Sequence, residues 1–138
     1  MAYTKLFYHI IWSTKHREPT ILPIIEYKLH SYIAKKAINL GGIIYAINGI
    51  DDDIHLAVSI PPSIAISKFI GQIKAVSSTK LNQSGLIDYK FRWQSSYSIF
   101  TIRESELAGI VRYIKKTKKH HAEGRLRNSL EILPREKY

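Results

Sequence analysis

The order of two kinds of apolar spacing constrains the fold of this chain more than any other sequence feature. Segments rich in aromatic and β-branched residues, typical of strands, lie at Lys5–Ser13, Ile43–Ile50, Ile54–Ile60 and within Phe91–Thr101. Segments with the 3.6-residue spacing of helices lie at about Leu22–Leu40, Ile64–Leu81 and from Glu104 towards Lys119. The predicted order is therefore β-α-β-β-α-β-α.

The first six elements match the split βαβ pattern of a ferredoxin-like α+β domain. We therefore expect a four-stranded antiparallel sheet with two helices on one face, and a C-terminal helix as an addition. The length of 138 residues suits a single domain spanning residues 1–138. We expect its core at about residues 5–121, with the tail at 122–138 partly disordered or packed on a partner. This fold hosts many unrelated activities, so function must come from the site.

Composition excludes several classes of function. The chain has no cysteine, which rules out disulfide frameworks, thiolate metal sites and cysteine catalysis. We find no signal peptide, and no apolar run approaches the ~20 residues that cross a bilayer. These observations predict a cytoplasmic protein with no membrane partner.

Positive charge is concentrated near the end of the predicted third helix. The formal net charge is +10, and between Val111 and Arg127 seven Lys or Arg residues face one acid, Glu123. Such a field attracts polyanions, and nucleic acid is the commonest of them. His120 and His121 would point about 100° apart on a helix, so we expect surface or phosphate contacts from them rather than one shared metal ion.

Three residues could carry chemistry. Asp53 and His55 lie two apart in a predicted strand, so both project from one face and could hold a divalent ion. Tyr113 lies on the basic helix and could act as a nucleophile. Each also has an ordinary structural interpretation: a turn aspartate beside a buried histidine, and a tyrosine at the edge of a core. The residues alone leave both interpretations open.

Several motifs, in order and spread from about Lys5 to His121, resemble the single-tyrosine HUH transposases of the insertion sequence 200/605 type. The matching segments are Tyr8-His9-Ile10-Ile11-Trp12, Ala46-Ile47-Asn48-Gly49-Ile50, Ile54-His55-Leu56-Ala57-Val58-Ser59-Ile60-Pro61-Pro62, the helix from Ile66 to Ser78, Trp93-Gln94 with Tyr97, Arg112-Tyr113-Ile114-Lys115 and His120-His121.

The resemblance implies a homodimeric enzyme that recognises hairpins in single-stranded DNA and cuts and rejoins strands through a 5′-phosphotyrosine. It implies Tyr113 as the nucleophile, a Mg²⁺ or Mn²⁺ ion at the scissile phosphate, and an active site that the partner subunit can complete. The basic residues expected to hold DNA phosphates are Lys68, Lys74, Arg112, Lys115, Lys116, Lys118 and Lys119.

The chain departs from the family at two expected metal ligands. Asp53 stands where the family has the first histidine of its motif, and Thr117 stands where it has a glutamine, whereas His55 matches. The predicted metal set is thus His55, Asp53 and Thr117. Three hypotheses follow: an active transposase with a weaker metal site, a decayed or domesticated relative that binds hairpins without cutting, and a basic interaction module with no DNA role.

Overall fold

The computed structural model describes residues 3–118. Its strands are β1 (Phe7–Ser13), β2 (Ile43–Asn48), β3 (Asp53–Ser59) and β4 (Ser98–Ile102), and its helices are α1 (Pro23–Asn39), α2 (Ile66–Gln83) and α3 (Glu104–Lys115). The predicted element order is confirmed, and most bounds differ from expectation by a few residues. Lys119, His120, His121 and the tail at 122–138 lie outside the described residues.

The four strands form one antiparallel sheet in the order β2-β3-β1-β4. The central strands are therefore β1 and β3, and the hairpin of β2 and β3 lies at one side. This confirms the ferredoxin-like α+β arrangement, with α3 as the added helix.

Each face of the sheet has its own apolar cluster. On one face, Ile10, Trp12, Ile54 and Leu56 are fully buried in the main core with the apolar sides of α1 and α2. On the other face, a smaller cluster joins Ala46 and Ala57 to Ile114 of α3. Because strand side chains alternate between faces, the residues at odd positions of β1 and β3 are directed towards α3.

A β-bulge interrupts this alternation in β2. The pairing register between β2 and β3 shifts between Ile44 and Ala46, so two residues of β2 occupy the space of one. Tyr45 and Ala46 consequently both pack in the α3 cluster, whereas Ile44 and Ile47 pack against the main core. Asn48 is left on the α3 face, where it pairs with His55.

The turn that follows β1 is strained. A short 3₁₀ helix spans Lys15–Arg17, in the connection between β1 and α1. His16 and Arg17 have φ angles of 56° and 54°, a left-handed conformation that costs a residue with a Cβ about 1–2 kcal/mol. The Arg17 Nε–Asp52 Oδ2 ion pair, 3.2 Å long, helps to hold this turn beside the start of β3.

None of the helices described by the structure is long and apolar enough to span a bilayer.

Candidate active site

Asp53 and His55 lie on the sheet face that α3 covers, as their spacing predicts. Strand β3 begins at Asp53 rather than at Ile54, so both residues are in regular strand. Their side chains are fully buried, and Asp53 Oδ2 lies 3.5 Å from His55 Nε2. Two atoms at this separation could both bind one ion through bonds of about 2.0–2.3 Å.

The hairpin between β2 and β3 fixes the direction of the Asp53 carboxylate. The backbone N–H of Ile50 donates to Asp53 Oδ1 at 3.0 Å, which leaves Oδ2 on the side of His55. Gly49 makes this turn possible: a Cβ there would lie 2.1 Å from the Asp53 carbonyl oxygen and 3.0 Å from its Oδ1. Gly49 therefore allows the turn that positions a candidate ligand.

His9 joins the pair from β1, and sequence reasoning did not identify it as a site residue. His9 is fully buried, and its Nε2 lies 3.1 Å from Nδ1 of His55. Burial, followed by the charge of His55, lowers the pKa of His9 to about 3, so its ring is neutral at physiological pH. Strand order was the one signal that could have identified His9, because β1 and β3 are neighbouring strands in a ferredoxin-like sheet.

The three side chains form a row, with His55 between His9 and Asp53. A hydrogen bond between two imidazole nitrogens needs one N–H and one bare nitrogen. If His55 Nε2 binds a metal ion, its Nδ1 carries the proton and donates to His9 Nε2. Contacts of this kind from the second ring nitrogen are what usually orient a histidine ligand.

Tyr113 lies on the same side of the sheet, at the end of α3 that is tied to β2. The Asn48 side-chain amide donates to the carbonyl oxygens of Ile114 and Lys115 at 3.0 and 3.1 Å. Asn48 is the register partner of His55, so the two residues that follow Tyr113 lie over the strand pair that carries His55. Tyr113 is only 3% exposed.

The hydroxyl of Thr117, the third predicted ligand, is engaged in a hydrogen bond to α3. It is fully buried, and its hydroxyl donates to the Ile114 carbonyl at 2.7 Å. Within residues 3–118, no group of three or more His, Cys, Asp or Glu side chains is placed to hold a metal ion. The residues present therefore fit a two-ligand site of Asp53 and His55, with water or a substrate oxygen needed to complete it.

The predicted DNA-contacting residues divide into two groups. Lys68, Arg112, Lys115 and Lys116 are exposed and free to approach phosphate. Lys118 is engaged within the fold, because its Nζ donates to Glu26 Oε1 at 2.7 Å and to Asn48 Oδ1 and the Gly49 carbonyl at 2.8 Å.

Lys74 is also engaged within the fold. Its Nζ donates to the carbonyl oxygens of Gln94 and Ser96 at 2.7 and 2.9 Å, and burial lowers its pKa to about 8. These contacts give Lys74 and Lys118 structural roles that the sequence did not indicate. Their predicted contacts with DNA stay predictions.

Comparison with known proteins supplies the family. The model of the "Transposase IS200 like" family matches residues 2–117, which is most of the chain. The chain belongs to the IS200-like transposase family. This family membership confirms the resemblance seen in the sequence motifs.

The relatives of this IS200-like transposase include two named transposases. The chain is 26% identical to the ISDra2 transposase TnpA of Deinococcus radiodurans over 120 residues, covering 80% of this chain and 83% of the relative. It is 29% identical to the transposase for insertion sequence element IS200 of Salmonella typhimurium over 113 residues, covering 78% and 74%.

The solved structures that share its fold include the following two. A D. radiodurans R1 protein described as a transposase superposes with a TM-score of 0.67 at 24% identity, covering 85% of this chain and 95% of that one. A REP-associated tyrosine transposase bound to a REP hairpin superposes with a TM-score of 0.64 at 16% identity, covering 91% and 76%. At these identities the two structures support the fold alone.

Proposed function

We propose that this chain acts in DNA transposition by binding hairpins in single-stranded DNA and cutting and rejoining the strand through Tyr113. The observation that carries the proposal is the connection of Asn48 to the carbonyls of Ile114 and Lys115. Through it, the helix that bears the tyrosine lies beside the strand that bears Asp53 and His55. A nucleophile and a candidate ligand pair thus share one face of the sheet.

In the proposed step, Tyr113 Oη attacks the scissile phosphorus. The new bond is a 5′-phosphotyrosine, the P–O3′ bond breaks, the phenol loses its proton, and the departing 3′ oxygen gains one. A second 3′-hydroxyl reverses the reaction and rejoins strands, so the bond energy is conserved without a nucleotide cofactor. Because Tyr113 is 3% exposed, a change in the packing around α3 must precede attack.

A phenol with an ordinary pKa near ~10 is a poor nucleophile at neutral pH. A Mg²⁺ or Mn²⁺ ion, when bound, would polarise the phosphate and neutralise the charge that develops on it. Asp53 and His55 would hold that ion, and the mixed carboxylate and imidazole set favours Mn²⁺ over Mg²⁺. The exposed Arg112, Lys115 and Lys116 would contact phosphates of the bound strand.

A second candidate function is hairpin binding without cleavage. It is favoured by the hydrogen bond that occupies the Thr117 hydroxyl. That bond leaves Asp53 and His55 as the ligand pair, fewer ligands than the family pattern implies. In this case Tyr113 would serve as a packing residue of α3.

Incubation with single-stranded DNA carrying a hairpin from the sequences that flank the gene, in the presence of Mn²⁺, separates the two candidates. A covalent adduct that is lost in Tyr113→Phe supports cleavage. Tight hairpin binding without an adduct supports the second candidate, and equal binding of heparin and hairpin DNA excludes both.

We also propose that the chain forms a homodimer. A monomer mass by light scattering at micromolar concentration would contradict this proposal.

A further inference from the structure

A basic cleft lies away from the sheet face that carries Asp53 and Tyr113. It has a volume of about 420 Å³ and is formed between α2, the 90–93 segment and the turn that follows β1. Four cationic side chains line it, from Lys15, Lys74, Lys90 and Arg92, and no carboxylate does. We call this the α2 cleft.

The charge of the α2 cleft is not neutralised by its surroundings. Within the part of the chain that the structure describes, no ion pair or side-chain hydrogen bond engages Lys15, Lys90 or Arg92. Lys90 and Arg92 are exposed, and Lys15 is half-buried. The Ser78 hydroxyl and the Asn82 side chain on the wall are engaged by backbone groups, so the three cations are the groups available to a ligand. This combination suits an anion with several oxygen acceptors.

Hydrogen bonds hold the walls of the α2 cleft in place. The Asn82 side chain both donates to the Phe91 carbonyl at 2.9 Å and accepts from its N–H at 2.8 Å. The Trp93 indole donates to Ser77 Oγ at 3.0 Å, and the Lys15 N–H donates to the Arg92 carbonyl at 3.0 Å. A cleft shaped in advance loses less conformational entropy when it binds.

One short connection along β1 joins the α2 cleft to the candidate active site on the other face of the sheet. Thr14 forms a β-bridge with Trp93, and the preceding residue, Ser13, pairs with Asp53. The cleft and Asp53 are therefore at the same end of the sheet. A chain of phosphates lying in the cleft could continue to the scissile position at Asp53 and His55.

We infer that the α2 cleft binds the phosphodiester backbone of single-stranded DNA next to the cleavage position, with Lys15, Lys90 and Arg92 as the phosphate contacts. This inference rests on the proposed function and adds a separate binding site to it. The contacts are made by cations to phosphate, so binding at the cleft carries no base preference. Lys74 stays with its two backbone carbonyls and supports the loop that forms the wall.

The test measures binding of a fluorescent dT12 oligonucleotide between 50 and 300 mM KCl with the full chain and with Lys15→Gln/Lys90→Gln/Arg92→Gln. The slope of log affinity against log salt for single strands is about 0.7 per phosphate contact, so loss of three contacts should lower it by about 2. The matched control, Lys28→Gln/Lys35→Gln/Lys36→Gln on α1, removes the same charge elsewhere and should keep the wild-type slope.

Two results would overturn the inference. One is an equal salt slope for the cleft variant and the α1 control. The other is inorganic phosphate that competes as well as dT12 at equal phosphate concentration, which would indicate a small-anion site. Circular dichroism checks that both variants fold. Wild-type binding of the flanking hairpin is measured in parallel. If hairpin binding fails while the cleft-dependent dT12 slope is present, the proposed function is wrong and the cleft assignment holds.

Discussion

The Nε2 atom of His9 lies 3.1 Å from Nδ1 of His55, and both rings are fully buried. Replacing His9 by Leu should remove the hydrogen bond that His9 makes with His55 Nδ1. We expect a loss of about 1–3 kcal/mol in the free energy of unfolding and a 10–100-fold loss of Mn²⁺ affinity. Urea unfolding and calorimetry measure the two effects.

His9→Gln is the matched control for that prediction, because its amide can replace the imidazole as a hydrogen-bonding group. It should recover part of both losses, and ¹⁵N spectroscopy should show the His55 tautomer of the wild type. Equal Mn²⁺ affinity in wild type, His9→Leu and His9→Gln would contradict a positioning role for His9.

Asn48→Ala should loosen the end of α3. The side chain donates to the Ile114 and Lys115 carbonyls and accepts from Lys118 Nζ at 2.8 Å. We expect the free energy of unfolding to fall by about 1–3 kcal/mol. Amide hydrogen exchange should become faster, and only in α3. Asn39→Ala, at the exposed end of α1, should leave exchange in α3 unchanged; similar rates in both variants would refute the anchoring role.

Two glycine substitutions should have opposite effects on stability. In Gly49→Ala the new Cβ would collide with the backbone of Asp53 at 2.1 Å, so the hairpin must deform, and we expect a loss of more than about 2 kcal/mol. In Gly71→Ala on α2, no atom beyond the neighbouring helix backbone lies within 4 Å of the new Cβ. We therefore expect the free energy of unfolding to rise by about 0.5–1 kcal/mol. Thermal unfolding measures both; a tolerated Gly49→Ala would show that the turn is not tightly fitted.

Lys74 should make stability depend on alkaline pH. Burial lowers its pKa in the folded state from 10.5 to about 8, so between these values the unfolded chain binds more protons than the folded one. Stability contributed by this group therefore rises as pH increases from about 8 towards 10.5. The difference in urea midpoint between wild type and Lys74→Met should grow in favour of wild type across that window. A constant difference would contradict the lowered pKa.

Restoring the family ligands should strengthen metal binding. We expect Asp53→His combined with Thr117→Gln to raise Mn²⁺ affinity, because the pair adds an imidazole and an amide oxygen where the chain now has a carboxylate and an engaged hydroxyl. Calorimetry measures the affinity, and Thr117→Ser, which keeps the hydroxyl, serves as the control. No gain in the double variant would mean that the metal site is wrongly placed.

The sequence predicted the parts of the site that depend on local periodicity. Strand alternation placed Asp53 and His55 on one face, and helical spacing placed Tyr113 on α3. It did not reveal the contact of His9 with His55, which depends on the register between β1 and β3. It also did not reveal the contacts of Lys74 and Lys118 within the fold, because the reach of a long side chain to a backbone carbonyl far along the chain has no periodic signal.

The bulge between Ile44 and Ala46 gives β2 one residue more than its pairing with β3 uses. Deletion of Tyr45 would restore regular alternation and leave Asn48 opposite His55 on the α3 face. Strand β3 has no such extra residue, and deletion of Ile54 would put Asp53 and His55 on opposite faces of the sheet. A change in the number of residues should therefore be tolerated at the bulge in β2 and disruptive between the candidate ligands in β3.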